Sequence, residues 1–413
     1  MRIVPKNSYL SMVGAMVLVT NSLLAQEDFF TVKLDAIVNG AIELEPSLPA
    51  DGKYASGTVV TVRAKPQDGF ALDSIYYSVP GRWGAMYHES LTSEFEITID
   101  QNKSIGASFI EADRVAHLKV THNVVYARPG KKELKYDVYS PKEAENLPVI
   151  VIIHGGGWAT NDEDIMRGLA RELTKDNKFV VASVDYRWIG TLDGDEKPNS
   201  MAHLIEDVFG AIVHIREHAT EYGGDPNRVG VTGDSAGGHL SASVAVLIEK
   251  IGSGGFGEKD GIYEFQPTYL PDGKTAEQIR EELLRSIRAA APSYGVFAVE
   301  ALRGFQRGMS EDAASATAPQ SYIPEASNRS VPQYLTRGTR DNLIGDDAVS
   351  SYARALQAKG QTVVYDQIDG AGHAFFDWKP NDQVKATFAK YGVPYAEKMK
   401  LFFEKHLDST DKK

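Results

Sequence analysis

Two different hydrophobic patterns follow one another along the chain. From about residue 29 to 110, short segments such as TVKLDAIV and GTVVTVRAKP alternate apolar and polar residues, and Gly, Pro, Asp and Asn separate them. Alternation with a period of two, broken by turn residues, is typical of β-strands that bury one face. We therefore predict a small all-β domain over residues 26–112, without helices.

From about residue 115 onwards, apolar residues form short continuous runs separated by segments of helical length. Uninterrupted apolar strands are typical of a sheet that is covered on both faces. Strands that alternate with helices imply right-handed crossovers and a mostly parallel sheet. For residues 113–413 we therefore predict an α/β fold with a doubly wound, mostly parallel sheet, whose reactive groups lie at the carboxyl ends of the strands. The predicted strands are VIVII at 149–153, FVVASV at 179–184, RVGVT at 228–232, RAAAPSY at 288–294, PQYLTRG at 332–338 and TVVYDQI at 362–368. The predicted helices include 164–176, 201–222, 238–251 and 347–359.

Residues 1–25 follow neither pattern. Arg2 and Lys6 give a positive start, and a mostly apolar run over 10–19 follows. This order is typical of a secretory signal peptide, and the run is shorter than the roughly 20 residues that span a bilayer. We expect cleavage before Gln26 and a secreted or periplasmic protein. An uncleaved anchor is the alternative, whereas the lack of cysteine excludes a lipid anchor.

The charge balance excludes some classes of partner. The 413 residues include 44 Lys plus Arg against 56 Asp plus Glu, which gives a formal net charge of −12. An acidic protein is a poor ligand for nucleic acids and anionic membranes, so we expect no nucleic-acid partner and no stable membrane insertion after signal cleavage. The absence of cysteine also excludes disulfides, thiolate metal sites and a cysteine nucleophile. The oligomeric state stays open.

A candidate nucleophile follows the strand RVGVT directly. The segment GDSAGG at 233–238 lies between this strand and the apolar stretch HLSASVAVLI, so that the order is strand, tight turn, helix. In that context the G-x-S-x-G pattern indicates that Ser235 is a nucleophile on a sharp turn. Gly233 and Gly237 are needed because two backbones approach there without room for Cβ atoms. Ser235 then lies at a helix amino terminus, where the dipole favours developing negative charge.

A serine hydroxyl is a weak nucleophile and needs a histidine that is held by a carboxylate. His373 is the best candidate for this base, because it lies in the glycine-rich run DGAGHAF just after the last apolar strand. The default interpretation of the other nine histidines is surface or core. Asp341 is the candidate acid because it lies nearest to the end of the strand PQYLTRG. Asp346 and Asp347 are its rivals.

A glycine loop supplies candidate hydrogen-bond donors. The segment HGGGW at 154–158 follows the strand VIVII, and consecutive glycines can turn N–H groups toward an oxyanion. The N–H of Ala236 would add a donor from the nucleophile turn. A plain glycine turn is the alternative interpretation of the loop. Trp158 and Asp234, which adjoin these motifs, are expected to line the substrate pocket.

These motifs, together with Asp-Tyr-Arg at 185–187, resemble carboxylesterases of the hormone-sensitive lipase type and the similar bacterial feruloyl and acetylxylan esterases, which have the α/β-hydrolase fold. The resemblance covers roughly 115–407. Here Trp188 follows the Asp-Tyr-Arg motif, whereas hormone-sensitive lipase relatives usually continue with Leu-Ala-Pro-Glu; this difference favours the feruloyl-esterase-like branch.

The resemblance also implies the roles of the site residues. The chain order of nucleophile, acid and base matches the triad order of that fold. Ser235 would be the nucleophile, Asp341 the acid and His373 the base. The oxyanion donors would be the N–H groups of Gly156, Gly157 and Ala236.

The activity that the resemblance implies is hydrolysis of carboxylic esters through an acyl-enzyme, with no metal and no organic cofactor. The expected substrates are short-chain or aromatic acyl esters, among them acetyl or feruloyl groups on plant polysaccharide fragments. A serine peptidase on the same fold is one alternative, although peptidases seldom carry the HGGG loop. A non-catalytic surface-binding protein is the other.

The all-β segment resembles the divergent bacterial repeat module that is related to the internalin B repeat, with Gly40, Pro46 and the closing ITIDQNKSIGASF at 97–109. An insertion around Trp83, Met86 and Tyr87 departs from that module. Exposed aromatic residues often mark contact sites, so this loop is expected to touch substrate or the neighbouring domain, with local packing as the alternative. Attachment of the enzyme to carbohydrate is a further alternative role for the module.

The predicted organisation is thus a signal peptide at 1–25, a small β domain at 26–112 and a catalytic α/β-hydrolase domain at 113–413. Within the last domain, residues 252–282 are glycine-rich and then charged, and form an insertion after the nucleophile helix. Such an insertion is expected to be either a lid over the site or a passive surface loop.

Overall fold

The computed structural model describes residues 28–81, 84–194, 196–252 and 264–407. The predicted signal peptide, Trp83 and residues 253–263 of the predicted insertion lie outside these ranges. Within them, no helix combines the length and apolar character that crossing a membrane requires.

The N-terminal region consists of two β-sheets that share one apolar core. Five strands form a sheet in the spatial order β3-β1-β8-β5-β6, and β2, β4 and β7 form a second, antiparallel sheet. The alternation along β4 buries Val60 and Val62, while Val59 between them is 49% exposed. Ile75 and Ile105 of the larger sheet complete the core. The strands are β1 (Phe29–Leu34), β2 (Gly40–Glu45), β3 (Lys53–Ala55), β4 (Thr58–Pro66), β5 (Phe70–Gly81), β6 (Gly84–Ser90), β7 (Glu94–Ile99) and β8 (Lys103–Glu111).

The remainder of the chain is built on one eight-stranded sheet, in the order β9-β10-β12-β11-β13-β14-β15-β16. Strands β11 to β16 pair in parallel, while β9 and β10 form an antiparallel edge. Residues 149–153 of β11 are at most 1% exposed, because helices cover both faces. The strands are β9 (Leu118–Ala127), β10 (Leu134–Pro141), β11 (Leu147–Ile153), β12 (Val180–Val184), β13 (Gly224–Asp234), β14 (Ile287–Ser293), β15 (Gln333–Gly338) and β16 (Val363–Ile368).

Helices alternate with these strands, and the predicted fold class is confirmed. The carboxyl ends of β11, β13, β14, β15 and β16 lie along one edge, since these strands are parallel. The helices are α1 (Arg167–Thr174), α2 (Met201–His218), α3 (Ala236–Val246), α4 (Ala276–Ser286), α5 (Val299–Phe305), α6 (Glu311–Thr317), α7 (Asp346–Ala358), α8 (Asp382–Thr387) and α9 (Val393–Leu407).

The described part of the 252–282 insertion packs against helix α2. Phe265 is fully buried and meets the ring of Phe209 edge-on at 6.0 Å. The backbone N–H of Thr268 donates to the carbonyl of Glu206 at 3.1 Å. These contacts anchor the segment to the hydrolase-like domain, and its role as a lid stays a prediction.

A buried ionic cluster joins the two regions. Asp73 of β5 has a fully buried side chain and accepts hydrogen bonds from Arg167 and Arg171 of α1, at 3.0 and 2.8 Å, and from the indole of Trp378 at 2.9 Å. Burial alone would raise the pKa of the Asp73 carboxyl, but the two guanidinium groups and Lys385 hold it well below its usual value. Arg167 also pairs with Glu89 of β6. The ionic cluster therefore fixes how the β domain lies on α1.

Candidate active site

The turn between β13 and α3 presents Ser235. Its backbone has φ of +53° and ψ of −113°, a strained conformation for a residue with a side chain. A Cβ atom on Gly237 would lie 1.9 Å from the carbonyl oxygen of Ile153, and one on Gly233 would lie 2.4 Å from that of Gly237. The prediction that both positions require glycine is confirmed.

The three residues predicted from separate strand ends lie in one hydrogen-bonded chain. The Oγ of Ser235 is 2.9 Å from Nε2 of His373, and Nδ1 of His373 is 2.8 Å from Oδ2 of Asp341. The rival acid Asp346 instead accepts hydrogen bonds from Tyr365 and Gln367 at 2.7 and 3.0 Å. Asp341 is therefore the carboxylate that orients the histidine.

The environment of Asp341 keeps its carboxylate charged. Burial of the side chain would raise its pKa, but the hydrogen bond with His373 and the backbone N–H groups of Ile344 and Leu343 lower it below the usual value. Both N–H groups donate to Oδ1 at 2.9 Å, which leaves Oδ2 for the histidine. A charged carboxylate in this position stabilises a protonated imidazole.

The glycine loop after β11 holds its shape through its neighbours. Gly156 and Gly157 have φ of +120° and +62°, which glycine adopts without strain. A Cβ on Gly156 would lie 2.3 Å from the carbonyl oxygen of Thr160. Tyr186 stacks on the ring of His154 at 4.2 Å, and its hydroxyl donates to the His154 carbonyl at 2.9 Å.

The predicted oxyanion donors are free to bind a ligand. Within the described parts of the chain, no protein acceptor takes the N–H groups of Gly156, Gly157 or Ala236. Ala236 begins helix α3, so its N–H has no partner inside the helix. The structure therefore combines a serine hydroxyl hydrogen-bonded to an imidazole with N–H groups that no protein acceptor takes.

The expectation that Asp234 lines the substrate pocket is wrong. Asp234 is only 1% exposed, and its Oδ1 accepts the N–H of Gly155 at 2.7 Å. Burial and the nearby charge of Asp377 raise the pKa of Asp234 to about 7. Asp234 therefore positions the glycine loop from beneath.

The expectation that Trp158 lines the substrate pocket is also wrong. Its side chain is 2% exposed, its Nε1 donates to Nδ1 of His239 at 3.3 Å, and Phe305 contacts its ring edge-on at 6.4 Å. The backbone φ of Trp158 is +63°. The side chain supports the glycine loop by packing.

Tyr294 is a site residue that the sequence reasoning missed. Its ring meets that of His373 at 4.9 Å, and its hydroxyl lies 3.4 Å from Oδ2 of Asp234. Tyr294 thus contacts both His373 and Asp234, whose carboxylate holds the glycine loop. Its position directly after β14 could have identified it from the sequence, since reactive groups collect at the carboxyl ends of parallel strands.

One acidic group in the described part of the chain has the spacing of metal ligands: carboxylate oxygens of Asp137, Glu163 and Asp164 lie within 4.8 Å of one another. Burial and the charges of neighbouring carboxylates, chiefly Asp185 for Glu163 and Asp162 for Asp164, raise the pKa values of Glu163 and Asp164 well above their usual values. None of the three belongs to the chain of hydrogen bonds at Ser235.

Two protein families match successive parts of the chain. Residues 136–264 match the BD-FAE family, and residues 273–407 match the dienelactone hydrolase family. The first match contains the glycine loop and Ser235, and the second contains Asp341 and His373. Each covers less than half of the chain.

Curated relatives are named as esterases. The carboxylesterase NlhH of Mycobacterium tuberculosis is 39% identical over 124 residues, which are 30% of this chain and 37% of that protein. The carboxylic ester hydrolase LipN of the same organism is 38% identical over 132 residues, or 32% of this chain and 33% of that protein. The chain thus spans about a third of the length of these relatives.

Solved structures show the same fold. The apo form of Thermogutta terrifontis esterase 2 superposes with a TM-score of 0.50 at 23% identity, covering 69% of this chain and 94% of that one. The native form of the same enzyme covers 72% of this chain and 96% of that one, also with a TM-score of 0.50. The chain therefore has the α/β-hydrolase fold, preceded by a β-rich region whose resemblance to the internalin B-related module stays a prediction.

Proposed function

We propose that the chain is a serine carboxylester hydrolase. The observation that carries this proposal is the continuous hydrogen-bonded chain from Ser235 through His373 to Asp341, with unpaired N–H donors on the turn and the glycine loop. The names of the curated relatives support the same reaction. Such a nucleophile would attack the carbon of an ester carbonyl, and such donors would stabilise the charge on its oxygen.

The proposed reaction has two steps. Nε2 of His373 takes the proton of the Ser235 hydroxyl as Oγ attacks the carbonyl carbon, and the Asp341 carboxylate stabilises the imidazolium. The imidazolium then gives its proton to the alcohol oxygen as the C–O bond breaks. Water repeats the sequence on the acyl-enzyme and releases the acid.

The N–H groups of Gly156, Gly157 and Ala236 stabilise the charge on the tetrahedral oxygen. Loss of one such donor costs about 3 kcal/mol of transition-state stabilisation in comparable enzymes. Because Gly155 is tied to Asp234, the loop is held in place before substrate arrives. Apart from the ester and water, every group in this proposed reaction belongs to the protein chain.

For the substrate, we propose short-chain or aromatic acyl esters, including acetyl or feruloyl groups on plant polysaccharide fragments. The support is the resemblance of HGGGW, GDSAGG and the motif around Trp188 to feruloyl and acetylxylan esterases. We also propose a secreted or periplasmic location, supported by the N-terminal sequence over 1–25. Both proposals fit a small-molecule or oligosaccharide ester as the partner.

The test is the initial rate of hydrolysis of p-nitrophenyl acetate, butyrate and octanoate and of methyl ferulate. Ser235→Ala is expected to lower kcat by about a million-fold, because the nucleophile acts as a unit with its base. Ser351→Ala on α7 is the matched control and is expected to keep the wild-type rates. Circular dichroism verifies that both variants fold.

The alternatives have their own outcomes in the same test. A folded wild-type protein that hydrolyses none of these esters would contradict the proposal and favour a binding protein. Hydrolysis of peptide amides that depends on Ser235, without ester turnover, would favour a peptidase. The ranking of the four esters defines the acyl preference.

A further inference from the structure

A cleft of about 180 Å³ lies between the β domain and the hydrolase-fold domain. Met86 and Tyr87 of β6 line one side of it. Thr160, Asn161 and Trp188 line the opposite side. The two regions of the chain therefore build this cleft together, and neither region forms it alone.

The cleft adjoins the glycine loop, which supplies the proposed oxyanion donors. The hydroxyl of Thr160 donates to the carbonyl of Gly156 at 3.0 Å, and the amide of Asn161 donates to the carbonyl of Gly155 at 3.3 Å. A Cβ on Gly156 would lie 2.9 Å from Nδ2 of Asn161. A molecule in the cleft would thus contact residues that touch the loop directly.

A second catalytic segment reaches the same cleft. Lys379 lines it and follows His373 by six positions in the chain. The Nζ of Lys379 pairs with Asp377 at 3.2 Å, which ties the lysine to that segment. The cleft is therefore bordered both by the glycine-loop segment and by the segment that carries the base.

The residues around the cleft are held in place before a ligand arrives. Tyr87 packs edge-on against Tyr76 at 5.5 Å, and Nε1 of Trp188 donates to the carbonyl of Asn161 at 3.0 Å. Glu89, two residues beyond Tyr87 on β6, pairs with the buried Arg167 of α1. Side chains fixed in this way form a preorganised site.

The chemistry of the lining defines the ligand. Met86, Tyr87 and Trp188 present apolar and aromatic surface. The polar side chains of the lining are His88, Glu89, Thr160, Asn161, Asp162 and Lys379, and the carboxylates among them can accept hydrogen bonds from hydroxyl groups. Flat apolar faces beside such polar groups suit a ring that carries hydroxyl groups better than an alkyl chain. The volume is below the 300–1,000 Å³ typical of sites for whole drug-sized ligands, so the cleft holds about one ring.

We propose that this cleft binds the alcohol part of the ester, as a polyhydroxylated ring, and that Met86 and Tyr87 of the β domain determine this specificity. The inference rests on the proposed ester hydrolysis. It gives the β domain a part in substrate selection, since one side of the cleft belongs to β6. Met86 and Tyr87 take no part in the chemical steps.

The experiment compares two acetate esters that differ only in the alcohol: an acetylated methyl xyloside and ethyl acetate. The specificity ratio is kcat/KM for the acetylated xyloside divided by kcat/KM for ethyl acetate. In the full chain, Tyr87→Ala and Met86→Ala are each expected to lower this ratio about tenfold, chiefly through a higher KM for the sugar ester. Phe29→Ala is the matched control, because this exposed aromatic lies on β1, which β8 and β5 separate from β6. It is expected to keep the wild-type ratio.

The outcomes separate the two proposals. If the wild type hydrolyses ethyl acetate through Ser235 but neither variant changes the ratio, the cleft proposal is overturned and ester hydrolysis stands. If the wild type hydrolyses neither of these esters and none of the p-nitrophenyl esters or methyl ferulate, the proposed function fails and the cleft proposal fails with it. If it hydrolyses the p-nitrophenyl esters or methyl ferulate through Ser235 but not the acetylated xyloside, only the cleft proposal is overturned. Should Tyr87→Ala not fold, Met86→Ala decides, since that side chain is 46% exposed.

Discussion

At the scale of single residues, Glu206 of α2 shows how burial creates pH dependence. It is 7% exposed, and its Oε1 accepts the N–H of Gln266 at 2.6 Å. Burial, with a further contribution from Asp207, raises the pKa of Glu206 from 4.5 to about 8. Between about pH 4.5 and pH 8, Glu206 therefore keeps its proton in the folded state, whereas the unfolded chain has already released it. The stabilisation is complete below about pH 4.5 and is lost as the pH rises through about 8.

We predict that Glu206→Gln stabilises the protein at alkaline pH, because glutamine still accepts the Gln266 N–H and has no proton to lose. At pH 9 the free energy of unfolding is expected to rise by a few kcal/mol, on the order of 2, and Tm by several degrees. At pH 4 the two proteins should have nearly equal Tm values. Differential scanning calorimetry at both pH values measures this. The exposed Glu300→Gln is the control, and parallel Tm profiles of Glu206→Gln and wild type would contradict the prediction.

At the scale of secondary-structure elements, the turn between β13 and α3 sets the position of Ser235, the proposed nucleophile. The Cβ position of Gly237 is 1.9 Å from the carbonyl oxygen of Ile153, at the end of β11. Helix α3 can therefore begin against the neighbouring strand only if residue 237 has no side chain. This contact brings the N–H of Ala236 to the same edge as the glycine loop that follows Ile153.

We predict that Gly237→Ala lowers the free energy of unfolding by roughly 3 kcal/mol or more, because backbone atoms must move to admit the methyl group. Ester turnover should fall as well, since Ser235 and Ala236 would shift. Gly304→Ala in α5 is the matched control: its Cβ would meet nothing within 4 Å, and a gain of about 0.5–1 kcal/mol is expected in a helix. Urea denaturation measures both variants. Equal midpoints for wild type and Gly237→Ala would show that the close contact is absent.

At the scale of the whole molecule, the buried cluster around Asp73 holds the β domain on the hydrolase-fold domain. Arg167 lies between Asp73 of β5 and Glu89 of β6, and its side chain is fully buried. Buried charges are tolerated only when they are paired and hydrogen-bonded. The same pairing fixes β6, which lines the proposed alcohol cleft.

We predict that Asp73→Asn lowers the free energy of unfolding by about 3–5 kcal/mol, because Arg167 and Arg171 lose a buried counter-charge. The specificity ratio for the sugar ester should fall too, since β6 would lose part of its support. Glu45→Gln is the control, because its pair with Arg63 is exposed at 73% and 46% and is worth about 1 kcal/mol or less. Urea denaturation of the three proteins provides the measurement, and similar losses for both variants would contradict the role of the cluster.

The secondary-structure elements and the residues of the candidate active site could be predicted from the sequence to different extents. The helices predicted at 201–222 and 347–359 correspond to α2 and α7, with ends that differ by a few residues. The short continuous runs identified the parallel strands because burial on both faces leaves an uninterrupted apolar signature. Asp341 was separable from Asp346 because residues that end parallel strands share one edge.

The sequence alone determined the class of fold and the residues brought together at Ser235, because hydrophobic period, turn glycines and strand ends are local properties of the chain. Only the tertiary structure decided that Asp234 and Trp158 lie beneath the loop, since burial depends on which segments cover a residue. It also decided that Tyr294 contacts His373 and that β6 faces Trp188. These contacts join segments up to about a hundred residues apart, and no local pattern encodes which distant segment a side chain meets.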